Sequence, residues 1–272
     1  MILKNKKFVN FIKSFIEQRP FFWNLAWRFI HLNDIFLPHD PTYYALKFLI
    51  NTKDDLIIDI GANTGISALS FRKLCPSNRI ISFEPNIAHE DNLKSIKKRI
   101  GNYEYELFGL GDKDDEFNLY IPKYKNIFLH TFSSIQKKSL LNALNNHFNK
   151  KVLPKISIEV MRCKIKTLDS YNFSPSLIKI DVEGFEENVL RGSINTLRKH
   201  MPSLIFEVCH GSLKEISSFL RGLGYEILNF DNQNNCFKLH CDEDLISNVS
   251  GLRNLIAVDK SKSMQLPIIG RS

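Results

Sequence analysis

Apolar residues along the chain follow two different periods, and these periods alternate. Short apolar runs have the length of buried strands, and they lie at residues 56–60, 79–83, 103–109, 177–182, 203–208 and 225–230. Segments with helical spacing follow four of these runs, at residues 64–74, 87–100, 186–199 and 212–223. Because short loops join the two kinds of element, the pattern predicts an α/β fold: a mostly parallel sheet with helices on both faces.

The middle of the chain departs from this alternation. Apolar runs at 117–121, 127–135 and 156–165 predict extra strands, and residues 136–152 predict a helix or lid. Late strand candidates follow at residues 236–240 and 254–258. We therefore divide the chain into a helical N-terminal extension at 1–48, a main domain at 49–260 with an inserted β/helical segment at about 112–170, and a C-terminal tail at 261–272.

Positive charge is concentrated at the N-terminus. The whole chain has 37 basic and 29 acidic residues, yet residues 1–30 alone hold six basic residues against Glu17. Since the excess is local, we expect no nucleic-acid partner. Phe8, Phe11 and Phe15 share one face of a predicted helix in this segment, with lysines beside them. This helix either packs on the main domain or lies on an anionic membrane surface.

The cysteines indicate neither a zinc ribbon nor a thioredoxin site, although Cys236 and Cys241 could approach each other across a turn. There are five, and none forms a CxxC pair. The N-terminal segment does not resemble a signal peptide, because charged residues interrupt its apolar run. No apolar run approaches the roughly 20 residues that a membrane-spanning helix needs. We expect reduced thiols and a cytoplasmic protein, peripheral to a membrane if the N-terminal helix binds one.

A loop that contains glycine follows the first predicted strand. It runs Asp59-Ile-Gly61-Ala-Asn63-Thr-Gly65 and precedes the first predicted helix. Gly61 and Gly65 let a ligand approach the backbone closely. The loop differs from a dinucleotide-binding loop because Asn63 stands where a glycine is needed, and because Asp59 is a poor neighbour for a pyrophosphate. An NAD-dependent oxidoreductase is therefore the weaker interpretation.

The second predicted strand ends at another acid, Glu84, 25 residues after Asp59. A carboxylate accepts hydrogen bonds at two oxygens and can therefore bind both hydroxyls of a ribose. Together, the loop and Glu84 indicate a ligand that contains adenosine and needs no phosphate site. S-adenosylmethionine fits this description, since it combines adenosine with an amine and a positively charged sulfonium.

Charged residues also mark the ends of the fourth and fifth predicted strands. The fourth lies in the string Leu177-Ile-Lys-Ile-Asp-Val-Glu-Gly-Phe-Glu186, where Lys179 and Asp181 share one face of the strand. A buried lysine needs a partner, which Asp181 or Glu183 supplies. Glu207 and His210 fall at the carboxyl edge of the fifth predicted strand. Ligands bind at such strand ends, so these residues are candidates for the chemistry of the acceptor.

Six motifs occur in a fixed order: Asp59-Ile-Gly-Ala-Asn-Thr-Gly65, Ser82-Phe-Glu-Pro85, Lys166-Thr-Leu-Asp-Ser170, the string from Leu177 to Glu186, Val189-Leu-Arg-Gly192 and Pro202-Ser-Leu-Ile-Phe-Glu207. Together they resemble the FkbM-type family of S-adenosylmethionine-dependent methyltransferases over about residues 50–260. The resemblance implies a Rossmann-like class I methyltransferase fold with seven strands, the last of them antiparallel. It also implies S-adenosylmethionine as the cofactor and methyl transfer to a hydroxyl, with polyketides and sugars among the substrates of the family.

The resemblance further implies roles for individual residues. Glu84 would bind the ribose. Asp112 would lie near the adenine, since such enzymes often place an acid after the third strand. The string Phe132-Ser-Ser134 resembles a family segment near the acceptor pocket. The loop residues would bind the cofactor, chiefly at its methionine end: Asp59, Gly61, Asn63 and Gly65.

Methyl transfer to a hydroxyl needs a group that takes up the hydroxyl proton. Asp181, Glu183 and His210 are the catalytic candidates, and Asp181 comes first because Lys179 can keep it ionised. Two of these candidates could instead hold a divalent cation, although their spacing assigns no metal site. We expect O-methylation of a glycan or another small hydroxylated metabolite. The alternative is a non-catalytic, membrane-associated protein that has retained the fold.

Overall fold

The computed structural model describes residues 37–207, 213–240 and 254–270, and we number their elements in chain order. The strands are β1 (Leu56–Ile60), β2 (Arg79–Phe83), β3 (Tyr103–Glu106), β4 (Gly109–Leu110), β5 (Asp115–Tyr124), β6 (Ile127–Phe128), β7 (Ile156–Lys166), β8 (Pro175–Ile180), β9 (Ser203–Glu207), β10 (Tyr225–Asp231), β11 (Cys236–Leu239), β12 (Asn254–Asp259) and β13 (Ile268–Ile269). The α-helices are α1 (Leu46–Leu49), α2 (Ile66–Leu74), α3 (Glu90–Ile100), α4 (Lys137–His147), α5 (Glu186–Arg191), α6 (Ile194–His200), α7 (Leu213–Gly222) and α8 (Lys260–Ser263).

The main sheet contains nine of the described strands, in the order β13-β11-β10-β12-β9-β8-β1-β2-β3. The five strands from β9 to β3 run parallel, whereas β12 pairs antiparallel with both β9 and β10. The predicted α/β fold with a late antiparallel strand is thus confirmed. The sheet is larger than the predicted seven strands because β11 and β13 extend it beyond β10. Residues 268–269 therefore belong to the sheet, although the sequence suggested a tail at 261–272.

Apolar side chains on both faces of β1 build the core. All five residues of β1 are buried, and Ile57 and Ile58 pack into two separate clusters. Because side chains alternate along a strand, these clusters lie on opposite faces of the sheet. The 3₁₀ helix Pro41–Ala45 and α1 pack into the cluster of Ile57.

The predicted N-terminal extension is described only in part. Residues 1–36, which include the basic amphipathic segment, lie outside the described residues. Within the described ranges, none of the helices combines the length and the apolar character that crossing a bilayer requires.

A second sheet occupies the region between β3 and β8. Its strands are ordered β4-β7-β5-β6, and β5 pairs antiparallel with β7 along its whole length. The strand predicted at 127–135 is wrong beyond Phe128, because residues His130–Phe132 form a 3₁₀ helix. Leu129 and Phe132 pack in one cluster with α4, and a spacing of three residues brings two side chains to the same side only in a helical turn.

The helix predicted at 186–199 is divided into α5 and α6. The division falls at Gly192, where a Cβ atom would lie 1.7 Å from the carbonyl oxygen of Gly111. The two backbones therefore touch, and a side chain at position 192 would force them apart.

Asp169 caps the second of these helices. Its carboxylate accepts the backbone N–H groups of Asn195 and Thr196, at 2.9 and 2.8 Å. Such a cap satisfies N–H groups that the first turn of a helix leaves without partners. The two motifs that contain Asp169 and Gly192 thus have a structural role.

Candidate functional site

The carboxyl ends of β1, β2 and β8 meet at one edge of the main sheet, where a cavity opens. This is the position at which ligands bind in parallel α/β sheets. The second sheet supplies part of the wall through β5. The lining residues are Ile60, Gly61, Asn63, Phe83, Glu84, Pro85, Asn86, His89, Gly109, Leu110, Phe117, Leu119, His130, Ser133, Ser134, Ile135, Asp181, Val182, Glu183 and Phe185.

The loop after β1 turns sharply and touches both neighbouring strands. Gly61 and Ala62 donate their backbone N–H groups to the carbonyl oxygen of Phe83, at 2.9 and 3.1 Å. Gly61 has a φ angle of 79°, and a Cβ atom there would lie 1.8 Å from the carbonyl oxygen of Asp181. Glycine is therefore required for its backbone conformation and for space. The loop joins the ends of β2 and β8 along one side of the cavity.

Glu84 is buried at the end of β2, with 6% of its surface exposed. One carboxylate oxygen accepts the backbone N–H of Asn63 at 2.7 Å, and the other accepts that of Asn86 at 2.8 Å. Burial raises the pKa of Glu84 to about 7, although both hydrogen bonds favour the charged form. The two oxygens are fixed in direction, and each can accept a further hydrogen bond from a ligand.

Lys179 is a buried cation beneath the glycine loop. Its Nζ atom lies 3.3 Å from Oδ1 of Asp59 and 3.5 Å from Oδ2 of Asp181. It also donates to the carbonyl oxygen of Gly61 at 2.9 Å. Burial by itself would discharge the amine, but the two carboxylates raise the pKa of Lys179 above its usual value. Lys179 therefore links the glycine loop and Asp181 to the central strands of the sheet.

Three carboxylates lie together at the ends of β8 and β9. Asp181, Glu183 and Glu207 each offer an oxygen atom, and these atoms all lie within 4.8 Å of one another. Glu186 shapes the turn that carries Glu183, because its Oε1 atom accepts two backbone N–H groups of that turn, at 3.2 and 3.0 Å. Three oxygen ligands suit a hard divalent cation. The cluster could equally bind a positively charged group of a ligand.

The structure brings most of the predicted site residues to the cavity. The predicted residues that line it are Gly61, Asn63, Glu84, Asp181 and Glu183. Asp59 is fully buried and stands behind the lining, where its Oδ2 atom accepts hydrogen bonds from Ser67 at 2.7 Å and from Ser82 at 2.9 Å. Asp59 therefore contacts Lys179 and does not line the cavity.

Of the three other predicted residues, two are described, and neither of these lines the cavity. Gly65 faces α3, since a Cβ atom there would lie 2.4 Å from Cδ1 of Ile96. Asp112 is exposed on the surface and does not contribute to the lining. His210 lies outside the described residues, so its place in the site stays a prediction.

Two histidines at the cavity were missed by sequence reasoning. The rings of His89 and His130 are 4.8 Å apart, and Nδ2 of Asn86 lies 3.0 Å from Nδ1 of His130. Burial lowers the pKa of His130, and burial together with His130 lowers the pKa of His89 to about 4. The one available signal in the sequence was Asn86, a polar residue two positions after Glu84 that contacts His130. The sequence around His130 does not indicate that this residue lies beside His89 and Asn86.

The strand order reverses beside β1, an acid at the end of β2 faces a cavity, and the antiparallel strand β12 lies between β9 and β10. Together these features are those of the Rossmann-like fold of class I methyltransferases. A solved methyltransferase FkbM from Methylobacillus flagellatus shares the fold, with a TM-score of 0.50 and 15% identity, over 79% of this chain and 47% of that one. A family model described as the methyltransferase FkbM domain matches residues 59–227. The chain belongs to the FkbM family of methyltransferases.

Two relatives are each 24% identical to this chain. The AMB antimetabolite synthetase AmbE of Pseudomonas aeruginosa matches over 220 residues, which are 68% of this chain and 10% of that protein. Methyltransferase 1 of Beauveria bassiana matches over 213 residues, which are 73% of this chain and 81% of that protein. This chain thus spans a small part of AmbE and about half of the Methylobacillus protein.

Proposed function

We propose that this protein is an S-adenosylmethionine-dependent methyltransferase that methylates a hydroxyl group of a glycan or another small hydroxylated metabolite. The observation that carries the proposal is the convergence of Glu84, Asp181 and Glu183 on one cavity. Membership of the FkbM family supports methyl transfer as the reaction. The carboxylates at the end of β8 support a hydroxyl acceptor, since such an acceptor has a proton to lose.

The residues of the cavity suit this cofactor. Glu84 has two fixed acceptor oxygens for the hydroxyls of a ribose. Glu183 supplies negative charge that complements the amine and the sulfonium. Leu110 and Phe117 offer apolar surface for a flat base. When bound, S-adenosylmethionine supplies a methyl group that its sulfonium makes strongly electrophilic.

Asp181 is the residue that we assign to the acceptor hydroxyl. It lines the cavity at the carboxyl end of β8, and its side chain is 38% exposed, so it remains accessible. Lys179 at 3.5 Å favours the ionised carboxylate. In that state Asp181 accepts the proton of the hydroxyl and aligns its oxygen, while the buried Lys179 holds the carboxylate in place.

The cofactor is tested by calorimetric titration of the purified protein with S-adenosylmethionine and, separately, with NAD. We expect binding of the first and not of the second. Binding of NAD alone would support the oxidoreductase alternative and contradict the proposal. The acceptor is then sought by incubating the protein with S-adenosylmethionine and glycan or metabolite extracts, and by following the transferred methyl group with mass spectrometry.

The role of Asp181 is tested with Asp181→Asn, which keeps the shape of the side chain and removes its charge. The rate should fall by roughly 10²-fold or more, because general-base catalysis contributes about 10²–10⁴-fold, whereas cofactor affinity should change little. Asp54→Asn is a matched control at an exposed position outside the cavity. Near-normal turnover of folded Asp181→Asn, with a lower melting temperature, would show that Asp181 only neutralises Lys179.

The carboxylate cluster offers a second way in which Asp181 could act. If Asp181, Glu183 and Glu207 hold a divalent cation, a chelator should stop turnover and an added divalent ion should restore it. Turnover that a chelator leaves unchanged would leave Asp181 as the proton acceptor. His210→Ala provides a further comparison, because loss of turnover in this variant alone would assign the proton transfer to His210.

A further inference from the structure

Asn86 connects Glu84 with a histidine of the second-sheet region. Its backbone N–H donates to Oε1 of Glu84 at 2.8 Å, and its side-chain Nδ2 lies 3.0 Å from Nδ1 of His130. Asn86 is 2% exposed. All three residues line the same cavity. A short chain of hydrogen bonds therefore runs from the acid at the end of β2 to the imidazole of His130.

The orientation of the Asn86 amide follows from a third contact. Its Oδ1 atom accepts the backbone N–H of Ala88 at 3.1 Å. A backbone N–H can only donate, so the side-chain atom that faces Ala88 must be the oxygen. The atom that faces His130 is consequently the NH₂ group, which can only donate as well. Asn86 thus works as an N-terminal cap on one side and as a donor to His130 on the other.

A donor at Nδ1 selects one form of the imidazole. Nδ1 of His130 must accept the hydrogen bond from Asn86, so it holds no proton, and the proton of the neutral ring lies on Nε2. Burial lowers the pKa of His130, which keeps the ring neutral near pH 7. The His130 ring contacts the ring of His89 at 4.8 Å and stacks with the ring of Phe128 at 5.5 Å, and these contacts restrain its orientation.

We infer that His130 presents a neutral Nε2–H donor to a lone pair of the nucleoside part of the cofactor, beside the acceptor-only Glu84. The inference rests on the proposed function. The nucleoside is favoured over the methyl acceptor because Asn86 binds His130 and Glu84 together, and Glu84 is the residue assigned to the ribose. A donor next to an acceptor matches a sugar and base that carry both hydroxyl protons and lone pairs.

The form of the imidazole is measured by NMR on protein labelled with ¹⁵N-histidine, near pH 8 and without ligand. Long-range ¹H–¹⁵N correlations separate a protonated from an unprotonated ring nitrogen, and the spectrum of His130→Phe identifies the signals of His130. We expect a proton on Nε2 and none on Nδ1. In Asn86→Asp, a carboxylate faces Nδ1 and should place a proton there. A proton on Nδ1 of the wild-type protein would overturn the inference.

The contact itself is measured by calorimetric titration with S-adenosylhomocysteine. His130→Phe keeps an aromatic ring but removes the donor, and should weaken binding by about three- to tenfold, as expected for one neutral hydrogen bond. His130→Gln can place an amide N–H near the position of Nε2, so it should restore most of the affinity. His147→Phe is the matched control, because His147 is an exposed histidine of α4 outside the cavity.

The outcomes separate this inference from the proposed function. If the wild-type protein does not bind S-adenosylhomocysteine or S-adenosylmethionine, the proposed function fails, and the nucleoside contact fails with it. If the wild-type protein binds and folded His130→Phe binds equally well, only the inference fails. Lower turnover of His130→Phe at unchanged cofactor affinity would assign His130 to the methyl acceptor and would likewise overturn the nucleoside contact.

Discussion

The burial of Glu84 makes a prediction about pH that can be checked without knowing the acceptor. Its pKa of about 7 lies above the ordinary value of 4.5 because the carboxyl is buried. The folded protein therefore binds more protons at this group than the unfolded chain does between these two pH values. A difference of about 2.5 pH units corresponds to roughly 3 kcal/mol at about 1.36 kcal/mol per unit.

The sign of the effect on stability follows from linkage. A carboxyl whose pKa is raised on folding favours the folded state below its unfolded pKa, and this contribution is lost as the pH rises through the folded pKa. The free energy of unfolding of the wild-type protein should therefore fall from about pH 4.5 to about pH 7, by up to roughly 3 kcal/mol from this group. Glu84→Gln does not titrate and should lack this component.

The effect on cofactor binding has the opposite direction. Ribose hydroxyls donate to the charged carboxylate, so affinity should rise as the pH rises through about 7. At about pH 8, Glu84→Gln should bind at least about tenfold more weakly, since hydrogen bonds to a charged group contribute roughly 1.5–3 kcal/mol each. At about pH 6 the difference in affinity between wild type and Glu84→Gln should be smaller, because wild-type Glu84 must first lose a proton before it binds the ribose.

Both effects are measured as differences between wild type and Glu84→Gln, by urea unfolding and by calorimetry at several pH values. The difference cancels the titration of the cofactor and of every other group that the two proteins share. Glu116→Gln serves as the control, because Glu116 is an exposed carboxylate on β5. Parallel pH profiles for wild type and Glu84→Gln, in stability and in affinity, would refute the reasoning about Glu84.

Other predictions test the framework of the site and the N-terminal segment. Lys179→Met should lower the free energy of unfolding by roughly 3–5 kcal/mol in urea, because Asp59 loses its buried partner; an unchanged midpoint would contradict this. Gly61→Ala should abolish cofactor binding or folding, since its Cβ atom would collide with a backbone carbonyl, and wild-type affinity in calorimetry would rule that out. Asp169→Ala should cost about 0.5–2 kcal/mol in thermal unfolding while cofactor affinity is kept; a parallel loss of affinity would give Asp169 more than a capping role. If residues 1–30 contact membranes, vesicles with anionic lipid should bind the protein less tightly as salt rises, because the field is screened within about 10 Å at 0.1 M. Binding that salt does not weaken, or none at all, would favour packing on the domain.

Local patterns predicted the parts of the site that lie on single strand ends. An apolar run followed by a glycine loop placed Gly61 at the end of β1, and the next run ended at Glu84, which lines the cavity. The alternation of side chains also put Lys179 and Asp181 on one face, and the structure joins them at 3.5 Å. These predictions needed only strand periodicity and the rule that ligands bind at the carboxyl ends of parallel strands.

Predictions failed or stayed open where distant segments decide the outcome. The strand expected at 127–135 ends at Phe128 because Leu129 and Phe132 share a cluster with α4, which lies further along the chain. The helix expected at 186–199 is interrupted because Gly192 touches Gly111 of another loop. Neither contact can be recognised from the local pattern of apolar residues, since each depends on a segment that is distant in the sequence.

The sequence by itself determined the α/β fold, the acid-containing loop and the acids at the strand ends, because each depends on the periodicity and chemistry of a few neighbouring residues. Only the tertiary structure decided what lies between those strand ends. Asn86 and His130 are 44 residues apart, and their hydrogen bond exists because the second sheet folds back against the edge of the main sheet. The protonation of His130 and the raised pKa of Glu84 follow from that enclosure, since burial and partner atoms set both.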